Sequence, residues 1–91
     1  MNYRIPEGWT AEPAFDVPQL RDRYLLLRHP DLTVGMVTID WKLRVFRFGC
    51  ATTMPPNSVK KYGGRGWQQA IVDDACGALD ATRFNAHRGR R

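Results

Sequence analysis

The chain has 91 residues, a formal net charge of +5 and two cysteines, which suits one domain with a modest core and excludes two. No apolar run approaches the ~18 residues of a membrane span, and the first residues, with Pro6, Glu7, Glu12 and Asp16, lack the basic start and apolar stretch of a signal peptide. Cys50 and Cys76 have no second Cys or His at zinc-ligand spacing, so both are expected to be reduced structural thiols, and the chain to be soluble and cytoplasmic, with no metal or other cofactor.

In chain order, residues 1–22 read as an extended lead-in. Pro6, Gly8, Pro13 and Pro18 interrupt it, leaving room for one short helical turn near residues 17–21, with Trp9 and Phe15 as anchors to the core. From residue 23 the pattern changes. The apolar run Tyr24-Leu25-Leu26-Leu27-Arg28 predicts a strand, ended by a turn at Pro30-Asp31, because proline presets φ and aspartate supports turns. The β-branched run from Thr33 to Ile39 and the run from Leu43 to Phe48 predict two more strands. So short a link as Asp40-Trp41-Lys42 joins them in a hairpin. Period two then places Lys42, Arg44, Phe46 and Phe48 on one side of the last strand, and Leu43, Val45 and Arg47 on the other. Neither side is cleanly polar, so both are expected to touch something.

Residues 49–66 hold Pro55, Pro56, Gly63, Gly64 and Gly66 and predict a long loop, a feature more often functional than decorative. Beyond it Trp67, Ala70, Ile71, Ala75, Ala78, Leu79 and Thr82 recur at three-to-four spacing, the mark of an amphipathic helix. Gly77 weakens that helix by up to ~1 kcal/mol relative to alanine. The predicted fold is α+β: a three-stranded antiparallel meander with one C-terminal helix on one face. Its domain spans residues 23–82 and is followed by a disordered basic tail over 83–91. In architecture alone, three strands backed by a helix are similar to the plant ethylene-response-factor and integrase arm-type DNA-binding domains, a resemblance that implies a sheet face lying on DNA.

Charge is unevenly placed. Residues 1–39 carry −1, residues 40–65 carry +5, residues 66–81 carry −3, and the ten residues from Thr82 carry +4 in Arg83, Arg88, Arg90 and Arg91. The helix is therefore acidic and the segments before it are basic. Four arginines in a tail with little to bury suit either a solvated end or a nucleic-acid contact.

Lys60-Lys61-Tyr62-Gly63-Gly64-Arg65-Gly66 precedes the helix with no Ser, Thr, Asp or Asn to cap it. Free amide N–H groups approached through glycines and flanked by cations are the ingredients of an anion site, though the Gly-Lys-Ser/Thr ending of a nucleotide loop is missing. Asp73 and Asp74 are read as stabilisers of the early helix rather than as an acid–base pair, since consecutive helical positions diverge by about 100°. No nucleophile, base and orienting group can be named together, although a Cys50–His29 pair across the sheet is conceivable, so no enzymatic activity is expected. Trp41, at the hairpin tip, either packs back on the sheet edge or is exposed and free to stack on a base or anchor a partner.

Two functions follow. The first is a nucleic-acid-binding module, DNA slightly before RNA, with Arg28, Lys42, Arg44, Arg47, Lys60, Lys61, Arg65 and Trp41 as contacts on a basic sheet face and its neighbouring loop. The second is a protein-interaction or inhibitor domain that docks through its apolar strand faces or exposed sheet edges, with a homodimer as one form.

Overall fold

Backbone pairing organises the chain into one antiparallel sheet whose strands follow sequence order: β1 (Thr10–Pro13), β2 (Tyr24–Arg28), β3 (Met36–Asp40) and β4 (Val45–Phe48). A short helical turn, α1 (Pro18–Arg21), lies between β1 and β2, and a long helix, α2 (Trp67–Arg88), follows the sheet. The computed structural model describes residues 3–32, 35–58 and 60–88, with side chains described as far as residue 80. The α+β class, the antiparallel order and the C-terminal helix agree with the sequence reading. The strand number does not: there are four, not three.

The added strand comes from the lead-in. β1 pairs with β2 from Thr10 opposite Arg28 to Pro13 opposite Leu25, yet all four of its residues are exposed. An edge strand needs only backbone partners on one side and tolerates proline. It therefore leaves no apolar alternation to read. Pro18 opens α1, where the N–H groups of Leu20 and Arg21 both donate to the Val17 carbonyl.

β2 ends at the expected turn, which is closed by the Asp31 N–H donating to His29 Nδ1 at 3.1 Å. Glycine is obligatory at position 35, where any Cβ would overlap the His29 carbonyl oxygen. Thr33 and Val34, read as the start of the next strand, lie outside the described residues. β3 runs from Met36, and β4 begins only at Val45, so Lys42, Leu43 and Arg44 belong to the turn rather than to the strand.

Register decides the faces. Leu25 opposes Ile39, Leu27 opposes Val37, and these two β3 residues oppose Phe46 and Phe48, so all six lie on one side of the sheet. Ile71, Val72, Ala75, Cys76 and Leu79 of α2 bury against that side. Val72 and Cys76 widen the apolar stripe beyond the spacing read from the sequence, and Ala75 lets the helix approach closely.

The opposite side is not open. Tyr24, Leu26, Thr38, Asp40 and Arg47 are all buried there. Phe15 lies edge-on to Tyr24 at 5.4 Å, and the loop after β4 folds back over the remainder, with Thr38 donating to the Gly49 carbonyl at 2.7 Å and Arg47 to the Met54 carbonyl. The same loop covers the outer edge of β4: Asn57 N–H donates to the Phe46 carbonyl, while the N–H groups of Phe46 and Phe48 donate to Ser58 Oγ and Asn57 Oδ1. Its length is thus spent on covering a face and an edge. α2 continues through residues 83–88, where the sequence predicts the start of a disordered tail. The rest of that tail, residues 89–91, lies outside the described residues.

Candidate nucleic-acid interface

The eight residues singled out from the sequence separate into two groups, and one carboxylate accounts for much of the separation. Asp40, fully buried at the end of β3, accepts from Arg23 Nε at 3.2 Å and Arg23 Nη2 at 3.0 Å, and lies 3.6 Å from Arg47 Nη1. It also accepts from the N–H groups of Lys42 and Leu43 at 3.0 Å each, which folds the hairpin turn around it. Burial opposes the charge on Asp40, but the Arg23 guanidinium and the two turn N–H groups outweigh it and hold the carboxyl below the ordinary carboxylate range.

Arg47 is consequently withdrawn from solvent. Its side chain is 8% exposed, and its Nε donates to the Met54 carbonyl at 2.5 Å. It cannot meet a phosphate as the sequence reading expects. The far side of the sheet is therefore not the basic surface that reading places there, and the likeness to domains that lay an open sheet face on DNA does not hold. Arg28, on the same side, is exposed but pairs with Glu12 of β1 at 3.2 Å.

The second group gathers at the end of the molecule where the β3–β4 turn meets the start of α2. Arg44 is the link. Its backbone adopts φ +57°, a conformation that costs an ordinary residue on the order of 1–2 kcal/mol. From there its guanidinium lies 4.3 Å over the Trp67 ring and donates to the Tyr62 carbonyl at 3.3 Å. The hairpin turn is thereby fastened to the loop before the helix. Lys42 is exposed in the same turn, and Lys61 and Arg65 are exposed in the loop. None of Lys42, Arg44, Lys61 and Arg65 has a carboxylate partner among the described residues.

Lys60 is held differently. Its ammonium is 3.1 Å from Asp74 and 5.2 Å from the centre of the Tyr62 ring, and the Tyr62 hydroxyl donates to the same carboxylate at 2.7 Å. Burial works against the Asp74 charge, yet the Tyr62 and Lys60 bonds keep its carboxyl below the usual range, while burial and the nearby Asp74 raise the Tyr62 hydroxyl. Asp74 therefore ties the loop to the helix, and Asp73 accepts instead from Gln69 at 2.9 Å. The α2 ladder begins with Ala70 N–H donating to the Gly66 carbonyl. Gly66 has no side chain with which to cap the helix.

Trp41 takes the packed alternative of the two that the sequence leaves open. It is half-buried, 5.2 Å from Tyr3 and edge-on to Trp67 at 5.7 Å. Tyr3 is brought there by a clamp on the lead-in: Arg4 N–H donates to Gln69 Oε1 at 2.5 Å and Gln69 Nε2 donates back to the Arg4 carbonyl at 3.0 Å. Nothing in the proline-rich spacing of the lead-in signals this attachment, because one glutamine side chain makes it. Elsewhere both cysteines are free: Cys50 is exposed, and burial followed by the charges of Asp80 and Asp73 pushes the Cys76 thiol up to about 12. His29 is engaged with Trp9, edge-on at 5.3 Å. Among the described residues no three His, Cys, Asp or Glu side chains stand together as metal ligands, and no helix is long and apolar enough to cross a membrane.

Compared with protein-family models, curated proteins and solved structures, the chain has no match.

Proposed function

We propose that the protein binds nucleic acid through the end of the molecule built by the β3–β4 turn and the loop over residues 60–67, and not through its sheet face. The observation that supports this reading is the Arg44 bridge to Trp67 and Tyr62. It joins two segments distant in sequence, so that Lys42, Arg44, Lys61 and Arg65 occupy one exposed end without neutralising partners among the described residues. Cations clustered in this way favour a ligand of repeated negative charge. The first part of α2 is disfavoured as the contact element by Asp73 and Asp80, both exposed. Phosphate contact supplies affinity for DNA and RNA alike.

Protein docking keeps one of the features that favour it, the outer edge of β1. The apolar character of both strand faces is satisfied within the chain, and the outer edge of β4 is paired by Asn57 and Ser58. The test is titration of the purified protein with labelled DNA and RNA at rising salt. If Lys42, Arg44, Lys61 and Arg65 each meet a phosphate, affinity falls about 50- to 150-fold between 50 and 200 mM salt. No association with any DNA or RNA at low salt overturns the reading.

A further inference from the structure

An open depression among the described residues is chemically suited to the proposed ligand. It has a volume of ≈ 580 Å³ and lies between α1 and the β3–β4 turn, lined by Gln19, Leu20, Asp22, Arg23, Trp41 and Lys42. That volume falls within the range of about 300–1,000 Å³ for small-ligand sites. A second depression, of ≈ 450 Å³, includes Glu7 and Asp73 in its wall and has no aromatic ring. Two carboxylates and no stacking surface make it a poor seat for a nucleotide.

The first depression combines three different groups. Trp41 supplies an indole held in place by Tyr3 at 5.2 Å and Trp67 at 5.7 Å. Lys42, next to it in the chain and exposed, supplies a cation. Gln19 and Asp22, both exposed, supply hydrogen-bonding groups that can meet the edge of a base. Arg23 is occupied by Asp40 and is part of the wall. A base paired inside a duplex keeps both its faces stacked and its pairing edge hidden, so this combination is accessible only to an unpaired base.

The geometry points to single-stranded nucleic acid as the preferred ligand, with one unpaired base seated in the depression against Trp41 and its phosphate on Lys42. The inference rests on the nucleic-acid reading above and adds a strand class and a base site to it. Asp22 in the wall repels phosphate, so the base enters the depression and the backbone stays on the side of Lys42. Base–aromatic stacking of this kind is lost with a reduction in affinity of about 5- to 150-fold when the ring is removed.

The deciding experiment compares one mixed-sequence oligonucleotide, single-stranded and as a duplex, against the full chain, Trp41→Leu and Gln19→Glu. Gln19→Glu puts a second carboxylate beside Asp22 in the wall of the depression from the exposed turn α1 and leaves the core untouched, so it decides the matter even if Trp41→Leu fails to fold. The expected result is tighter binding of the single strand by the unaltered protein, and a fall of at least about fivefold in single-strand affinity for both variants with duplex binding unchanged. Equal affinity for the two forms, or variants that leave the single-strand affinity in place, overturns the base site while the phosphate reading stands. Absence of binding to either form overturns both.

Discussion

Arg44 and Arg47 stand three residues apart and end in opposite environments. Arg47 lies on β4, where the side chain has to point to one side of the sheet or the other, and the side it takes holds a buried carboxylate. Arg44 lies in the turn, where a positive φ sends the guanidinium across the end of the molecule onto Trp67. The far side of the sheet therefore consumes its cations internally, and the end of the hairpin displays them. A basic segment in a sequence is a supply of positive charge. Whether that charge reaches a ligand depends on which acids and carbonyls the fold brings to each residue first.

The sharpest way to break this contrast is to remove the acid. Asp40→Ala leaves Arg47 buried without its carboxylate and takes the acceptor from the two turn N–H groups. Loss of one partner of a buried pair costs about 3–5 kcal/mol, and a comparable fall in stability on urea denaturation is expected. Because the Asp40 carboxyl titrates below its ordinary range in the folded state, its contribution is complete above pH ~4 and declines as pH falls through the folded-state value. The variant is then expected to lose part of the acid-dependent destabilisation seen in the parent. A change of under about 1 kcal/mol would mean the cluster is solvated and the two regions are not distinct.

A second comparison sharpens the binding side. Lys61→Ala combined with Arg65→Ala is expected to lower the slope of log affinity against log salt by about 2, roughly one per phosphate contact. Arg28→Ala is expected to leave that slope unchanged, since Arg28 is engaged with Glu12 at 3.2 Å on the other side of the sheet. Equal effects from Arg28 and the loop pair would return the sheet face to consideration. The smallest expected effect lies outside both regions. Gly77 is exposed within α2, and a Cβ built there meets nothing within 4 Å. Gly77→Ala should stabilise the chain by about 1 kcal/mol, with nucleic-acid affinity unchanged.

The legible parts of this protein were those in which a residue's neighbours along the chain decide its state. The apolar run of β2 and the turn at Pro30-Asp31 are of that kind, and so is the helical spacing after Trp67. β1 was illegible because Thr10-Ala11-Glu12-Pro13 bury nothing; their conformation comes from pairing with β2. The hairpin was legible but its register was not. Reading Leu43 as the start of the strand put Lys42 and Arg44 on a sheet face, whereas the Asp40 carboxylate gathers the N–H groups of Lys42 and Leu43 into a four-residue turn. Of the residues read as contacts, Lys42, Arg44, Lys61 and Arg65 are exposed, whereas Arg47 is buried beside Asp40 and Trp41 is half-buried against Tyr3 and Trp67.

By itself the sequence determined the α+β class, the antiparallel order of β2 to β4, the acidic first part of α2 and the concentration of cations in residues 40–65, because periodicity, turn chemistry and charge are local properties of the chain. Only the tertiary structure decided which of those cations remain available. Asp40, Glu12 and Asp74 reach their arginine or lysine partners across strand pairs, turns and the helix. An ion pair is set by distance in space, and distance along the chain carries little information about it once the backbone has turned back on itself.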